Sequence, residues 1–313
     1  SGTGITPTGG SRCSPRASSD LSHPVQQVTL LVTGAAGQLG REVVWAASAA
    51  RQVVALGRAE LDVTDSAAVW AAVTAHRPTT VINGAAWTDV DGCELDPDQA
   101  YLANATAVDH LADACAEVGA HLVQVSTDFV FDGEPGPDGR FTPYGEDRPT
   151  NPLNVYGASK LAGEVAAGDG ATVVRTTWLQ SADGPGMVGR IMADLAADDG
   201  AVELLGDRRA CPTFIADLVP VLLRLADERV AGVVHVVNEG VASWAEMGRM
   251  VAVEVGADPN RIVAVSEADL GPPRPARRPA YSALDGAGLC RLGHPPMRHH
   301  RDAVAATVAR LRG

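Results

Sequence analysis

A tyrosine and a lysine four residues apart form the first pattern in this sequence that could carry chemistry. Tyr156 and Lys160 open a predicted helix, and their spacing places the phenol and the ammonium on one helix face. A neighbouring positive charge lowers the pKa of a phenol, so we expect Lys160 to tune Tyr156 as a general acid toward a carbonyl oxygen. The alternative without a chemical role is an exposed tyrosine beside a surface lysine.

Lys160 is also the only lysine among the 25 basic residues of the chain. A compact ammonium and a planar guanidinium are not interchangeable, and an ammonium is the better donor to a nicotinamide ribose in a narrow space. The presence of a single lysine therefore favours a chemical role for Lys160, although one lysine in an arginine-rich chain can also arise by chance.

Hydroxyl side chains follow a predicted strand at His121 to Val125, in the run Ser126-Thr127-Asp128. The carboxyl end of a parallel strand faces the ligand crevice, where a hydroxyl can hydrogen-bond a substrate carbonyl beside Tyr156. A plain strand-ending turn is the competing interpretation.

A glycine-rich turn follows the first apolar strand and opens the first helix, in the run Gly34-Ala-Ala-Gly37-Gln38-Leu39-Gly40. Such glycines allow a tight turn, close approach of backbone N–H groups to a pyrophosphate, and close packing of the helix on the strand. Its place within a strand–helix–strand unit favours dinucleotide binding over an ordinary loop.

The second strand ends at Arg58, where an acid would otherwise hold the adenosine ribose hydroxyls. An arginine there can pair with a 2'-phosphate, which favours NADPH and keeps NADH open; a solvated arginine is an equal alternative. Asp62 and Val63 lie slightly further on and are expected to flank the adenine.

These residues are spread along a chain in which apolar strands alternate with helices, which predicts an α/β fold. We expect a Rossmann-type doubly wound parallel sheet with a smaller C-terminal substrate lobe over the carboxyl ends of its strands. The predicted units are a flexible leader at 1–27, a dinucleotide-binding domain at 28–178 plus 214–238, a substrate lobe at 179–213 plus 239–291, and a C-terminal helix at 292–313. A single long helix is expected from about Pro97 to Val118.

Composition narrows the classes of partner. The chain has 313 residues, 46% of them hydrophobic, and a formal net charge of -13. A strongly acidic chain disfavours nucleic acid and anionic membrane surfaces as partners. Five scattered cysteines without CxxC spacing predict no disulfide framework and no metal site, and they favour a cytoplasmic location.

Together the motifs resemble those of the extended short-chain dehydrogenase/reductases, and more narrowly the dTDP-4-dehydrorhamnose reductases. The resemblance covers nearly the whole chain from about Val28. The runs that carry it are Ala85-Ala-Trp-Thr-Asp-Val-Asp-Gly-Cys-Glu94, Ser126-Thr-Asp-Phe-Val-Phe-Asp-Gly133, Val155-Tyr-Gly-Ala-Ser-Lys-Leu-Ala-Gly-Glu164 and Arg175-Thr-Thr-Trp178.

The resemblance implies reduction of dTDP-4-dehydro-beta-L-rhamnose by NADPH, with a dTDP-sugar as the small-molecule partner and a homodimer left open. It implies Thr127, Tyr156 and Lys160 as the catalytic triad. Asn104 matches a recurring family asparagine without an evident role. The implied cofactor contacts are Gly34, Gly37, Gln38, Leu39, Gly40, Arg58, Asp62, Val63, Ala85, Ala86 and Lys160, and the implied substrate contacts are Thr127, Asp128, Tyr156, Trp178, Arg208 and Arg278.

Four departures from the family pattern lie on the substrate side, at Phe129, Leu179-Gln180, Met187-Val188 and Arg208. Phe129 stands where tyrosine is usual and Arg208 where glutamine is usual, which leaves the exact sugar open. A dehydratase is disfavoured because a second acid does not follow Asp128. A nucleotide-sugar epimerase and a non-catalytic regulatory subunit remain as alternatives.

Overall fold

The computed structural model describes residues 1–2, 29–136, 138–181 and 186–313. The predicted leader, apart from its first two residues, lies outside the described residues. The strands are β1 Thr29–Thr33, β2 Gln52–Leu56, β3 Thr80–Asn83, β4 His121–Thr127, β5 Thr172–Thr176, β6 Leu179–Gln180, β7 Val202–Leu205, β8 Arg209–Ala210, β9 Thr213–Phe214, β10 Gly232–His235, β11 Ala242–Ser243 and β12 Ile262–Val265.

The helices alternate with these strands through the first half of the chain. They are α1 Gln38–Ser48, α2 Ser66–His76, α3 Val90–Leu95, α4 Pro97–Tyr101, α5 Ala107–Val118, α6 Val155–Ala167, α7 Met187–Ala197, α8 Ile215–Asp227, α9 Trp244–Val255, α10 Ala287–Arg291 and α11 His300–Arg312.

Six strands form the main sheet in the order β2-β1-β3-β4-β5-β10, and every neighbouring pair is parallel. The residues of β1 and β5 are buried throughout, as expected of parallel strands covered on both faces. The strand order reverses at β1, so β1 and β3 flank the crevice in which such sheets bind ligands. The predicted doubly wound α/β fold is confirmed.

Two apolar layers cover this sheet. Helices α1 and α8 contribute Val43 and Leu222 to one layer, whereas α2 and α5 contribute Val73 and Leu111 to the other. The short strands β7 and β12 pair beside α7 and α9, and α11 packs on both helices in a further apolar cluster. This cluster corresponds to the predicted lobe; the residue boundaries of the predicted units stay a prediction.

The predicted long helix from Pro97 to Val118 is wrong in one respect. The structure divides it into α4 and α5, joined by a π-helical turn at Leu102–Thr106. Asn104 lies buried in this turn, and its side chain accepts from the backbone N of Trp87 at 2.8 Å and donates to the carbonyl of Trp87 at 3.0 Å. The π-helical turn therefore directs the Asn104 side-chain amide inward, toward the segment that follows β3. Helical periodicity does not encode this tertiary contact.

Neither a membrane span nor a metal cluster occurs within the part of the chain that the structure describes. None of its helices combines the length and apolar character that crossing a bilayer requires. The same residues contain no group of three or more His, Cys, Asp or Glu side chains placed to hold a metal ion.

We expect Gly163→Ala to destabilise the protein, because a β-carbon at this position in α6 would lie 2.1 Å from the carbonyl oxygen of Asn104. The π-helical turn or α6 must shift, and overpacking of this kind costs about 1–3 kcal/mol. Urea denaturation measures the loss. Gly170→Ala is the matched control, since its β-carbon would meet no atom within 4 Å. Equal stability of the two variants would contradict the predicted packing constraint.

Candidate active site

Thr127 and Tyr156 meet at the carboxyl end of β4. The Thr127 hydroxyl donates to Asp128 Oδ1 at 3.0 Å and accepts from the backbone N of Phe129 at 3.2 Å. The Tyr156 phenol lies close enough to the same hydroxyl for that hydroxyl to affect its pKa. The structure therefore brings together the two residues that the sequence placed on a strand end and on a helix start.

The first turn of α6 is fixed from three sides. Asn154 caps the helix by accepting from the backbone N of Gly157 at 2.7 Å, and its amide donates to the carbonyl of Arg277 at 2.7 Å. Glu94 accepts from the backbone N of Val155 at 3.0 Å. These contacts hold Tyr156 in place between the sheet and the lobe; sequence reasoning noted Glu94 only as a motif member.

Gly157 permits this placement. A β-carbon there would lie 2.1 Å from the carbonyl oxygen of Phe129, in the turn that follows Thr127. The ring of Phe129 packs edge-on against Tyr156, with centroids 5.7 Å apart. A glycine at the third position after the helix cap thus lets the backbone of α6 approach the backbone of the turn that follows Thr127.

The pKa of Tyr156 is raised, which reverses the expected direction. Burial disfavours the phenolate and outweighs the opposing effect of the nearby Thr127 hydroxyl, and Asp128 and Cys93 raise the pKa further. The expected tuning by Lys160 is wrong for this state, because its ammonium donates instead to the Val125 carbonyl at 2.7 Å. Tyr156 consequently holds its proton at neutral pH, which is the form a general acid needs.

Lys160 is buried, with 4% of its surface exposed. Burial lowers the pKa of its ammonium to about 8, while the carboxylate of Glu164 raises it. An ammonium with this pKa remains mostly charged at neutral pH. Lys160 can therefore serve as a positive donor in the crevice.

Asp128 lies against the Thr127 hydroxyl and is buried. Burial raises the pKa of its carboxyl to about 6, and the nearby hydroxyls of Ser282, Thr177 and Thr127 oppose that shift. Of these, the Thr127 hydroxyl donates a hydrogen bond to Oδ1, whereas Oδ2 has no hydrogen-bond partner among the described residues. Ser282 carried no motif signal, and its role follows from its position in space.

The glycine turn between β1 and α1 has the geometry of an anion cradle. Gly34 has φ 64°, and a β-carbon on it would lie 2.6 Å from the backbone N of Ala85. Gly37 is the N-cap of α1 and no side chain caps that helix. The N–H groups of the first turn, which begins with Gln38, Leu39 and Gly40, are therefore available to a pyrophosphate, and the turn fits a dinucleotide.

The remaining predicted cofactor residues lie after neighbouring strands. Ala85 and Ala86 follow β3, and the backbone N of Ala85 donates to Asn83 Oδ1 at 3.1 Å. Val63 is partly buried, packed under the sheet. Hydrogen bonds from Thr64 hold the pKa of the Asp62 carboxyl below its usual range. All of these side chains lie at the carboxyl edge of β1, β2 and β3.

Arg58 is exposed at the end of β2. An acid does return to this strand end, because Glu60 accepts from the backbone N of Gly57 at 2.9 Å. Sequence reasoning missed Glu60 since it lies three residues after the strand-ending glycine and reaches back through a turn. The end of β2 thus combines an exposed arginine with a carboxylate that accepts from the backbone.

Trp178, Arg208 and Arg278 line one cavity of about 140 Å³, together with Phe129, Trp244 and Glu267. Trp178 has φ 44° and stacks face to face on Trp244, with ring centroids 3.9 Å apart. Trp244 was not predicted; its only sequence signal is a large aromatic at the start of a lobe helix. The substrate-side residues therefore share a small cavity with an aromatic wall.

Both predicted substrate arginines are paired with protein carboxylates. Arg208 forms an ion pair with Glu267 and donates to the carbonyl of Arg278 at 2.6 Å. Arg278 holds Asp91 through two hydrogen bonds of 3.0 and 2.8 Å. The Arg278–Asp91 pair joins α3 to the loop that precedes Tyr281. The guanidinium groups of Arg208 and Arg278 are therefore both held in place at the cavity.

The fold and the site define a Rossmann-type α/β protein with a dinucleotide cradle and a Thr–Tyr pair beside it. The family described as RmlD substrate binding domain matches residues 28–312, and the chain belongs to that family.

Individual relatives agree with this assignment. The chain is 45% identical over 285 residues to a dTDP-4-dehydrorhamnose reductase of Mycobacterium tuberculosis, covering 90% of this chain and 92% of that protein. It is 42% identical to a protein of the same name from Streptomyces griseus, covering 93% and 96%. A crystal structure of dTDP-4-dehydrorhamnose reductase from Bacillus anthracis in complex with NADP superposes with TM-score 0.83 at 30% identity, covering 90% and 99%. The family resemblance drawn from the motifs is confirmed.

We expect Asp128→Asn to change how stability depends on pH. The pKa of Asp128 is raised to about 6 in the folded protein from an ordinary 3.8, so the folded state binds this proton more tightly than the unfolded chain. The free energy of unfolding of the wild type should therefore fall, relative to the variant, by up to about 3 kcal/mol between pH 4 and pH 6.

Urea denaturation at several pH values measures this difference. Asp113→Asn, at an exposed position of α5, is the control and should follow the wild type at every pH. A gap between wild type and Asp128→Asn that stays constant from pH 4 to pH 7 would contradict the assignment.

Proposed function

We propose that this protein is an NADPH-dependent oxidoreductase that reduces the C4 keto group of dTDP-4-dehydro-beta-L-rhamnose to give dTDP-beta-L-rhamnose. The observation that carries the proposal is the proximity of the Thr127 hydroxyl and the Tyr156 phenol at the carboxyl end of β4, at the same edge of the sheet as the glycine turn. Relatives named dTDP-4-dehydrorhamnose reductase support the substrate, and the NADP-bound structure supports the cofactor.

Tyr156 acts as the general acid of this reaction. When bound, NADPH supplies the hydride that adds to C4. Tyr156 donates its phenol proton to the C4 oxygen, and the phenol carries this proton at neutral pH. The Thr127 hydroxyl holds the same oxygen by turning its hydrogen from Asp128 toward the substrate.

The cofactor is held by groups at the carboxyl edge of the sheet. The N–H groups of Gln38, Leu39 and Gly40 bind the pyrophosphate, and Lys160 binds the nicotinamide ribose. The adenosine half of the dinucleotide and its pyrophosphate bridge are contacted by residues that follow β2 and β3, namely Asp62, Val63, Ala85 and Ala86. Arg58 pairs with the 2'-phosphate of NADPH. NADH, which lacks this phosphate, is the second possible coenzyme.

The dTDP-sugar binds on the lobe side of the crevice. Trp178 contacts the sugar, while Arg208 and Arg278 contact the diphosphate through guanidinium forks that already lie at the cavity. Asp128 completes the sugar end next to Thr127. Arg208 is paired with Glu267 and Arg278 with Asp91. The diphosphate must therefore either bind these arginines together with the carboxylates or displace the carboxylates from them.

We also propose a homodimer in the cytoplasm. The assembly is supported by exposed apolar side chains on two helices that pack against each other: Leu95 on α3 and Val165 on α6. The compartment is supported by the free cysteines Cys93, Cys115, Cys211 and Cys290.

Tyr156→Phe should lower kcat for NADPH oxidation with dTDP-4-dehydro-L-rhamnose by about 100-fold or more, because the general acid is lost. Absorbance of the reduced nicotinamide measures the rate. Tyr101→Phe removes an exposed phenol and should retain wild-type activity. No turnover by the wild type would refute the reductase, and stoichiometric binding without net NADPH consumption would favour an epimerase or a regulatory subunit.

Arg58→Ala should raise KM for NADPH by about tenfold and leave KM for NADH unchanged, because only the phosphorylated coenzyme loses a charge-assisted contact. Steady-state kinetics with each coenzyme measures the two values. Arg190→Ala, at an exposed site on α7, is the control. Parallel changes in both constants would show that Arg58 does not read the 2'-phosphate.

A further inference from the structure

A buried ion pair lies behind the Tyr156–Lys160 face of α6. Glu164 and Arg175 are 8% and 5% exposed. Arg175 donates to both carboxylate oxygens, with Nε to Oε1 at 2.9 Å and Nη2 to Oε2 at 2.7 Å. Ser126 Oγ donates to Oε1 at 2.5 Å. The Glu164 carboxylate is thus fully engaged by β4 and β5.

The pair connects the elements that carry the proposed chemistry. Glu164 lies one helical turn after Lys160, so both side chains project from α6 toward β4. Lys160 donates to the carbonyl of Val125, and Glu164 accepts from the next residue, Ser126, which precedes Thr127. One turn of α6 therefore contacts two consecutive residues of the strand that ends in the catalytic hydroxyl.

The stability of the folded protein by itself is a weak explanation for a buried Glu164–Arg175 ion pair. Desolvation of two charges offsets most of their attraction, and apolar replacements of buried pairs are often neutral or stabilising. Here the pair has an additional electrostatic consequence, because Lys160 is a buried ammonium. A negative carboxylate one turn away offsets the cost of keeping that ammonium charged.

The other titratable groups around this site do not replace Glu164. Cys93 on α3 and Tyr156 on α6 are uncharged at neutral pH, because burial raises the pKa of each. His235 on β10 is also neutral, since burial lowers its pKa to about 4; Glu146 faces it from the loop before α6. Two further acids lie beside α6: Asp128 follows β4, and Glu94 on α3 accepts from the backbone N of Val155.

We propose that Glu164, fixed by Arg175 and Ser126, is a positioning residue that keeps Lys160 charged and directed into the crevice for the nicotinamide ribose. This role rests on the proposed function for its purpose. The electrostatic coupling of Glu164 to Lys160 is a property of the protein by itself. The two can therefore be tested separately.

The sole lysine makes a direct test available. Protein labelled with [ε-13C]lysine gives a single side-chain signal, that of Lys160, whose titration yields its pKa without assignment. We expect a midpoint of about 8 in the wild type. Glu164→Gln should lower it by about one pH unit or more, because the opposite charge one helical turn away is lost.

Companion variants separate charge from folding. Glu164→Gln leaves Arg175 buried without its partner, so Glu164→Gln/Arg175→Gln removes both charges and should also lower the Lys160 midpoint. Glu164→Asp keeps the charge and should restore most of the wild-type value. Glu117→Gln, at an exposed position of α5, is the matched control and should leave the signal unchanged.

Kinetics links the shift to the reaction. The pH above which NADPH oxidation declines should move down with the Lys160 midpoint in Glu164→Gln, and KM for NADPH should rise at pH 8. A Lys160 midpoint that stays at the wild-type value in a folded charge-removing variant would overturn the proposal. A shifted midpoint in a protein that does not consume NADPH with the sugar nucleotide would instead refute the proposed function and leave the coupling standing.

Discussion

The close packing of helix α6 on the carboxyl end of β4 is the constraint on which the site depends. Gly157 and Gly163 have no β-carbon, so the helix approaches the carbonyl oxygens of Phe129 and Asn104 directly. Because of this approach, the Tyr156 phenol reaches the Thr127 hydroxyl and the Lys160 ammonium reaches the Val125 carbonyl. A helix held one side-chain radius further away would separate the acid from the hydroxyl.

The same packing sets the electrostatics of the crevice. Burial raises the pKa of Tyr156 and of Asp128 and lowers that of Lys160, since each shift disfavours the charged form. The acid that must give up a proton is therefore kept neutral. The ammonium needs a compensating carboxylate to stay charged, and Glu164 is the one that its helix supplies.

The lobe contributes through charge pairs that cross the crevice. Asp91, in the segment after β3, holds Arg278 of the lobe, and Glu267 holds Arg208 beside the stacked Trp178 and Trp244. The guanidinium forks are thereby fixed before a ligand arrives, which reduces the ordering cost of binding an anion. Their carboxylates also reduce the net positive charge that a diphosphate encounters.

The sequence by itself determined the parallel sheet and predicted the glycine turn as a cofactor site, because strand and helix periodicity and short motifs are local properties. The choice of Thr127, Tyr156 and Lys160 as catalytic residues came from the family resemblance of those motifs and stays a prediction. The sequence did not determine the direction of the Tyr156 pKa shift, since burial depends on how α6, the catalytic turn and the lobe pack together. Asn104, Trp244 and Glu60 likewise acquired roles only in space: a π-helical turn, an aromatic stack and a reversed turn bring them to their partners. Desolvation and long-range contacts are the physical terms that residue spacing omits.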